Sequence, residues 1–239
     1  MNGNRVALVT GGNKGIGLEI ARQLGQAGVH VIICARDRAR GQAATEQLTA
    51  AGLSAESAQL DVNDTESIAR AAEQIEAEHR KLDILVNNAG IFAPGDATPS
   101  RASIDAVRRD METNFIGALA VTQAMLPLLR AAPSARIINI SSSLGSLTLN
   151  GDPTSTYYSQ QYIGYNASKA ALNMLTIQLN EELRGTGIVV NSVSPGFVKT
   201  DLTGYGTMTP EQGARLPVQH ALGGAESGRF LEPGGMTPW

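Results

Sequence analysis

The stretch Val6-Ala7-Leu8-Val9-Thr10-Gly11-Gly12-Asn13-Lys14-Gly15-Ile16-Gly17-Leu18-Glu19-Ile20-Ala21 decides the fold. Four apolar residues in a row suit a strand covered on both faces of its sheet. A glycine-rich turn follows, then apolar residues at helical spacing. Gly11 and Gly17 let the backbone turn tightly and come close to a phosphate, and the start of the helix offers free N–H groups and positive potential. Gly11, Asn13, Lys14, Gly15, Ile16 and Gly17 are therefore the first candidate cofactor-binding residues. The G-x-x-x-G-x-G spacing departs from the common G-x-G-x-x-G, and a purely structural turn would also explain it. Its position directly after a first strand argues for a pyrophosphate.

Working outward, short apolar runs alternate with amphipathic stretches, the pattern of repeated βαβ units. Strands are expected at residues 5–10, 30–35, 54–60, 84–87, 135–141 and 188–194, with a short seventh near 229–231. Helices are expected at 15–27, 38–51, 65–79, 104–131 and 165–184. The expectation is a single α/β domain over residues 1–239: a Rossmann-type, doubly wound parallel sheet of about seven strands with helices on both faces. Two segments break the alternation. Residues 150–162 are polar and tyrosine-rich, and residues 197–216 are rich in Gly and Thr. Both follow the C-terminal ends of strands, where open α/β sheets bind ligands.

Composition narrows the function. Of 239 residues, 42% are hydrophobic and 17% charged, and the formal net charge is -3, which does not recommend nucleic acid as a partner. One cysteine, Cys34, excludes an internal disulfide and a thiolate metal site. His30, His79 and His220 lack ligand spacing, so no metal is expected. The N-terminus lacks the basic and apolar regions of a signal peptide, and no apolar run approaches membrane-spanning length. A cytoplasmic protein with no membrane contact is the expectation.

The end of the second strand selects the dinucleotide. NAD-selective sites place a carboxylate there for the ribose 2′-OH, but this chain has Ala35 followed by Arg36, with Arg38 and Arg40 close behind. Guanidinium groups pair bidentately with phosphate, so Arg36 and Arg40, with Lys14 in the glycine turn, point to the 2′-phosphate of NADP(H). The competing reading is a solvated helix face, and Asp37 is either a contrary carboxylate or a helix N-cap.

The chemistry is written in Tyr165-Asn-Ala-Ser-Lys169. Residues at i and i+4 share one helix face. Of the five tyrosines, only Tyr165 has a lysine four places on, in a chain with four lysines. At roughly 4 Å and an effective dielectric near 20, the attraction is about 4 kcal/mol as an upper limit. That would bring a phenol from about 10 toward neutrality, where it could exchange protons with a substrate.

With these residues laid out, the chain resembles the short-chain dehydrogenase/reductase family over nearly its whole length. The motifs are TGGNKGIG (residues 10–17), NNAG (87–90), the serines around Ser142, YNASK (165–169) and Pro195-Gly196. Within the family, TGGNKGIG, the ARDRARGQ stretch and the final Trp239 look most like NADPH-dependent carbonyl reductases. The resemblance implies a catalytic set of Asn114, Ser142, Tyr165 and Lys169. Tyr165 would give a proton to the carbonyl oxygen, and Lys169 would bind the nicotinamide ribose and acidify the phenol. Ser142 would hold the substrate oxygen, and Asn114 would hold a water linking Lys169 to solvent. Asn114 taken alone could be an ordinary helix residue. Asp61 and Val62 would line the adenine pocket, Asn88, Ala89 and Gly90 would back the cofactor, and Pro195, Gly196, Val198 and Thr200 would hold the carboxamide end. Hydride would come from the pro-S face.

The implied function is reduction of a ketone or aldehyde, with a small-molecule carbonyl substrate whose apolar walls could come from Phe92, Leu144, Phe197 and Tyr205. Alternatives are a 3-oxoacyl-thioester reductase and a non-catalytic NADP(H)-sensing protein. Ser142 and Tyr165 are 23 positions apart, farther than in many family members. The extra residues near 150–162 are expected to wall the pocket and leave a monomer or weak homo-oligomer; a tolerated surface loop is the plainer alternative.

Overall fold

A computed structural model describes residues 5–239. Eight strands form one sheet: β1 (Val6–Thr10), β2 (His30–Ala35), β3 (Ala55–Gln59), β4 (Ile84–Asn87), β5 (Arg136–Ile140), β6 (Val189–Val193), β7 (Arg229–Glu232) and β8 (Gly235–Met236). Their order is β3-β2-β1-β4-β5-β6-β7-β8. Every neighbouring pair is parallel except β7 with β8. The sequence suggested about seven strands. The eighth is a two-residue return of the chain, too short to show any periodicity.

The helices are α1 (Gly15–Gln26), α2 (Arg38–Ala50), α3 (Thr65–His79), α4 (Ile104–Met111), α5 (Gly117–Ala131), α6 (Leu147–Gly151), α7 (Ile163–Glu182) and α8 (Pro210–Leu222). One core lies on each face of the sheet. Leu8, Ile32, Leu85 and Ile137 face Val121, Met125, Leu172 and Leu175 from α5 and α7. Val9, Ile33, Val86 and Ile138 face Ile20, Leu24, Leu48 and Val218 from α1, α2 and α8. Alternate residues of the inner strands thus go to opposite faces, and both are dry, which is why β1, β2, β4 and β5 read as near-continuous apolar runs.

Three expectations change. The single helix expected over 104–131 contains a π turn at Glu112–Ile116. The continuous helical run from Ile104 to Ala131 is long and apolar enough by composition to cross a membrane, contrary to the estimate from apolar runs alone; here Val121, Met125, Leu128 and Leu129 are buried in the core. The segment at 197–216, which breaks the alternation in sequence, ends in the first half of α8, begun by a capping box between Thr209 and Gln212. A helix with prolines at its first position and inside its run carries a weak periodic signal.

Candidate active site

The glycine turn has the geometry its composition suggested. Gly11 and Gly15 have φ of 61° and 56°, a region that favours glycine. A Cβ on Gly17 would lie 2.4 Å from Asn88 Nδ2 and 2.5 Å from Gly11 O. Asn88 Nδ2 donates to the carbonyls of Thr10 and Gly11, and Thr10 Oγ1 accepts from the N–H groups of Asn88 and Ala89. The β1 and β4 loops are therefore laced together, and Gly17 is small because they meet there. Helix α1 carries no acid in its first turn and no side-chain cap at Lys14, whereas α2, α3 and α8 are capped by Asp37, Asp64 and Thr209. Its leading N–H groups are left for an anion.

Asp37 resolves as the α2 N-cap, accepting from Arg40 N. Beside it, an open groove of about 380 Å³ is lined by Asn13, Lys14, Arg40, Gln47 and Asp201, among others. Lys14 is held there by Asp201 at 2.8 Å, and Arg36, Arg38 and Arg40 are exposed. Asp61 caps its own turn by accepting from Asn63 N, and Val62 packs where a Cβ on Gly117 would sit at 2.9 Å. An uncapped helix start, a glycine cradle closed to side chains and a cationic groove at the end of β2 fit a dinucleotide with a 2′-phosphate.

Across the sheet, α7 starts at Ile163, two residues before Tyr165. Asp96, far upstream, accepts from Gly164 N at 2.9 Å and Tyr165 N at 2.8 Å, supplying the cap that Tyr162 does not. Phe92 packs against both Tyr162 and Tyr165, with ring centroids 4.9 and 5.6 Å away. Ser141 donates to Asn173 at 2.7 Å, and Ser143 to Glu232 at 2.5 Å. Ser142 is spared both contacts. Its hydroxyl accepts from Leu144 N and lies close enough to Tyr165 to favour the phenolate.

Lys169 is buried, donates to Ile140 O at 2.9 Å, and places Nζ 5.6 Å from the Tyr165 ring centroid. A Cβ on Gly90 would lie 3.5 Å from that Nζ and 3.3 Å from Asn114 Oδ1, so NNAG, Asn114 and Lys169 converge. Asn114, in the π turn, accepts from Ile91 N and donates to Ile91 O and Ser168 Oγ. Its side chain ties the β4 loop to α7.

The electrostatics correct the expectation for the phenol. Burial pushes Tyr165 up to about 12; Ser142 pulls down and the Asp110 charge pushes up. Burial also brings Lys169 down to about 8, against the opposing pull of Asp110. Desolvation penalises both charged forms, and it outweighs a lysine turned toward a backbone carbonyl. Spacing put the two side chains on one face, but it carried no information about dielectric or direction.

Asp110 itself escaped the sequence reading. It is buried, accepts from Ala93 N at 2.9 Å, and is raised to about 6, chiefly by burial. Its position four residues before Asn114 was the available signal. Glu232 was missed too. It gathers Ser143 and, at 3.1 Å, the Tyr157 hydroxyl, fastening the 150–162 segment to β7.

The remaining cofactor candidates line the other side of the cleft. Gly196 has φ of 85°, and a Cβ there would meet Met208 Sδ at 2.6 Å. Val198 is buried and bridges Met208. Thr200 N donates to Thr203 Oγ1. Pro195 is buried beside Gly196. Phe197 and Tyr205 pack edge to face at 5.3 Å and are exposed, while Leu144 is part-buried.

A family model described as short chain dehydrogenase matches residues 5–209. Carbonyl reductase (NADPH) 1 of Homo sapiens is 36% identical, with 92% of each chain covered. Short-chain dehydrogenase/reductase 1 of Saponaria officinalis is 35% identical over 98% of this chain and 96% of its own. The NADPH-bound carbonyl reductase from chicken fatty liver superposes with a TM-score of 0.86 at 33% identity, covering 99% of both chains.

Proposed function

The chain belongs to the short-chain dehydrogenase family, and on that premise we propose that it reduces a ketone or aldehyde through Ser142, Tyr165, Lys169 and Asn114. It is an NADP-dependent oxidoreductase acting on carbonyl and alcohol groups. NADP(H) supplies the hydride chemistry when bound. Gly11, Asn13, Lys14, Gly15, Ile16 and Gly17 would hold its pyrophosphate, and Arg36 and Arg40 its 2′-phosphate. Asp61 and Val62 would flank the adenine; Asn88, Ala89, Gly90, Pro195, Gly196, Val198 and Thr200 would line the remainder.

The observation that carries this reading is the division of labour among three adjacent serines. Ser141 and Ser143 are committed to Asn173 and Glu232, leaving the Ser142 hydroxyl beside the Tyr165 phenol. Two hydroxyls set together can donate to one carbonyl oxygen as negative charge grows on it. A phenol held protonated is a donor ready for that oxygen. Once it has given its proton, the Lys169 ammonium on the same helix face stabilises the phenolate. Gly90 leaves space over Asn114 and Lys169 for a path by which the proton is restored.

A runner-up on the same chemistry is 3-oxoacyl-thioester reduction. The 150–162 segment, pinned by Tyr157 to Glu232, argues for a walled pocket and a smaller substrate. The reading is tested by following NADPH absorbance with aryl ketones, keto esters, quinones and acyl thioesters, with NADH in parallel. Turnover of a simple ketone or aldehyde with NADPH is expected; turnover of thioesters alone would replace it with the runner-up.

A further inference from the structure

At the N-terminal ends of the strands, away from the cleft, three side chains distant in sequence meet. His30 opens β2, Glu56 lies in β3 and His79 ends α3. Their potential ligand atoms all lie within 4.8 Å of one another, and this is the one such group of three among the described residues. His79 Nε2 is 2.6 Å from Glu56 Oε1, and His30 Nε2 is 3.5 Å from the same oxygen. The two imidazole centroids are 5.1 Å apart.

We propose that His30, Glu56 and His79 form a binding site for a divalent transition-metal ion of the zinc type, clamping β2, β3 and α3 together. Tetrahedral coordination at roughly 2.0–2.1 Å requires ligand atoms about 3.3 Å apart, and the observed separations bracket that value. Two imidazoles and a carboxylate are a donor set for zinc and its neighbours rather than for magnesium or calcium. Two further features point to an ion rather than a simple ion pair. His30 Nε2 is shut off from solvent without a hydrogen-bond partner, a costly condition for a buried polar atom. The other ring nitrogen, Nδ1, is 2.7 Å from Ser54 Oγ. With Nδ1–H donated to that hydroxyl, the Nε2 lone pair faces the Glu56 carboxylate, an arrangement that a cation between them satisfies. The hydroxyl then acts as the outer partner that orients a ligating imidazole. Glu78 Oε2, exposed and 4.0 Å from His79 Nε2, is placed to complete the set, or water fills it. All three side chains remain part-exposed, so the ion has a way in.

The site is separate from the cleft. His30 and Arg36 stand at opposite ends of β2, roughly 20 Å apart at about 3.3 Å per residue. Its role is structural, holding the edge strand β3 and the end of α3, which pack on the sheet without another covalent or ionic tie to β2.

The test is equilibrium dialysis of the tag-free enzyme against Zn²⁺ alone, with Mg²⁺ and Ca²⁺ as controls, and thermal unfolding with and without zinc. One zinc per chain and a rise in Tm are expected for the wild type. His79→Ala should weaken binding more than about tenfold and erase the rise in Tm. Ser54→Ala, which leaves all three ligands in place, should weaken it by about tenfold. His220→Ala should bind as the wild type does, and NADPH-dependent turnover should be the same in all of these. Zinc binding equal in the wild type and His79→Ala, or loss of the site in His220→Ala, would overturn the proposal.

Discussion

The two ends of this sheet were built by different rules. At the C-terminal ends of the strands, the groups that matter come from short motifs: a glycine turn at 10–17, NNAG at 87–90 and Tyr165 with Lys169 one helical turn apart. At the N-terminal ends, His30, Glu56 and His79 come together only because β2 pairs in parallel with β3 and α3 returns beside them. Local geometry made the first set visible as a pattern. The second set has no spacing to find, since its members are 26 and 23 residues apart.

The ends differ in solvent as well. Lys169 is 5% exposed, whereas the histidine side chains at the far end are 20% and 17% exposed. Burial governs the charges at the cleft, whereas the cluster stays part-exposed. Changes at the cleft should therefore alter chemistry and titration, and changes at the cluster should alter stability.

Tyr165→Phe gives the largest expected effect. Turnover should drop by about 10²–10⁴, while NADPH binding measured by fluorescence quenching stays near the wild-type value and Tm is unchanged. Full activity would break the comparison, because the proton donor would then lie elsewhere.

Lys169→Met probes burial. Lys169 loses its proton at about 8 in the folded chain and near 10.5 in the unfolded one. Between those values the unfolded chain binds more protons, so stability rises with pH, at most by about 1.4 kcal/mol per pH unit. Denaturant titrations from pH 8 to 9, below the range where Tyr165 titrates in either the folded or the unfolded chain, should show that contribution in the wild type and lack it in Lys169→Met. Identical slopes would mean that the ammonium is not desolvated as its surroundings suggest.

Arg36→Asp is the smallest of the three. Loss of one exposed, charge-assisted contact should raise KM for NADPH about tenfold and leave KM for NADH nearly unchanged. An unaltered preference would remove Arg36 from the phosphate pocket and leave Arg40 and Lys14 to account for it.

Much of the fold was legible because a doubly wound sheet repeats one unit. VALV, VIIC, ILVN and RIINI are near-continuous apolar runs since both faces are covered, and each is followed by a helix before the next strand. The failures share a cause. The β8 strand is two residues long, α8 carries Pro210 and Pro217, and the π turn at Glu112–Ile116 looks like ordinary helix in sequence; none has a period of its own. In the cleft, the three serines 141–143 could be separated by family resemblance, but their hydrogen bonds to Asn173 and Glu232 distinguish them physically. Asp96 and Asp110 reach the Tyr165 region from a different part of the chain, so nothing near YNASK announces them.

Sequence by itself determined the alternation of strands and helices, the glycine turn, the cationic end of β2 and the shared face of Tyr165 and Lys169. These depend on bond geometry and periodicity within a few residues. Only the tertiary structure decided which serine stays beside the phenol, that Tyr165 and Lys169 are both held toward their neutral forms, and that two histidines face one carboxylate. Those outcomes depend on dielectric and on distances between segments far apart in the chain, which are set when the sheet assembles and its helices exclude water.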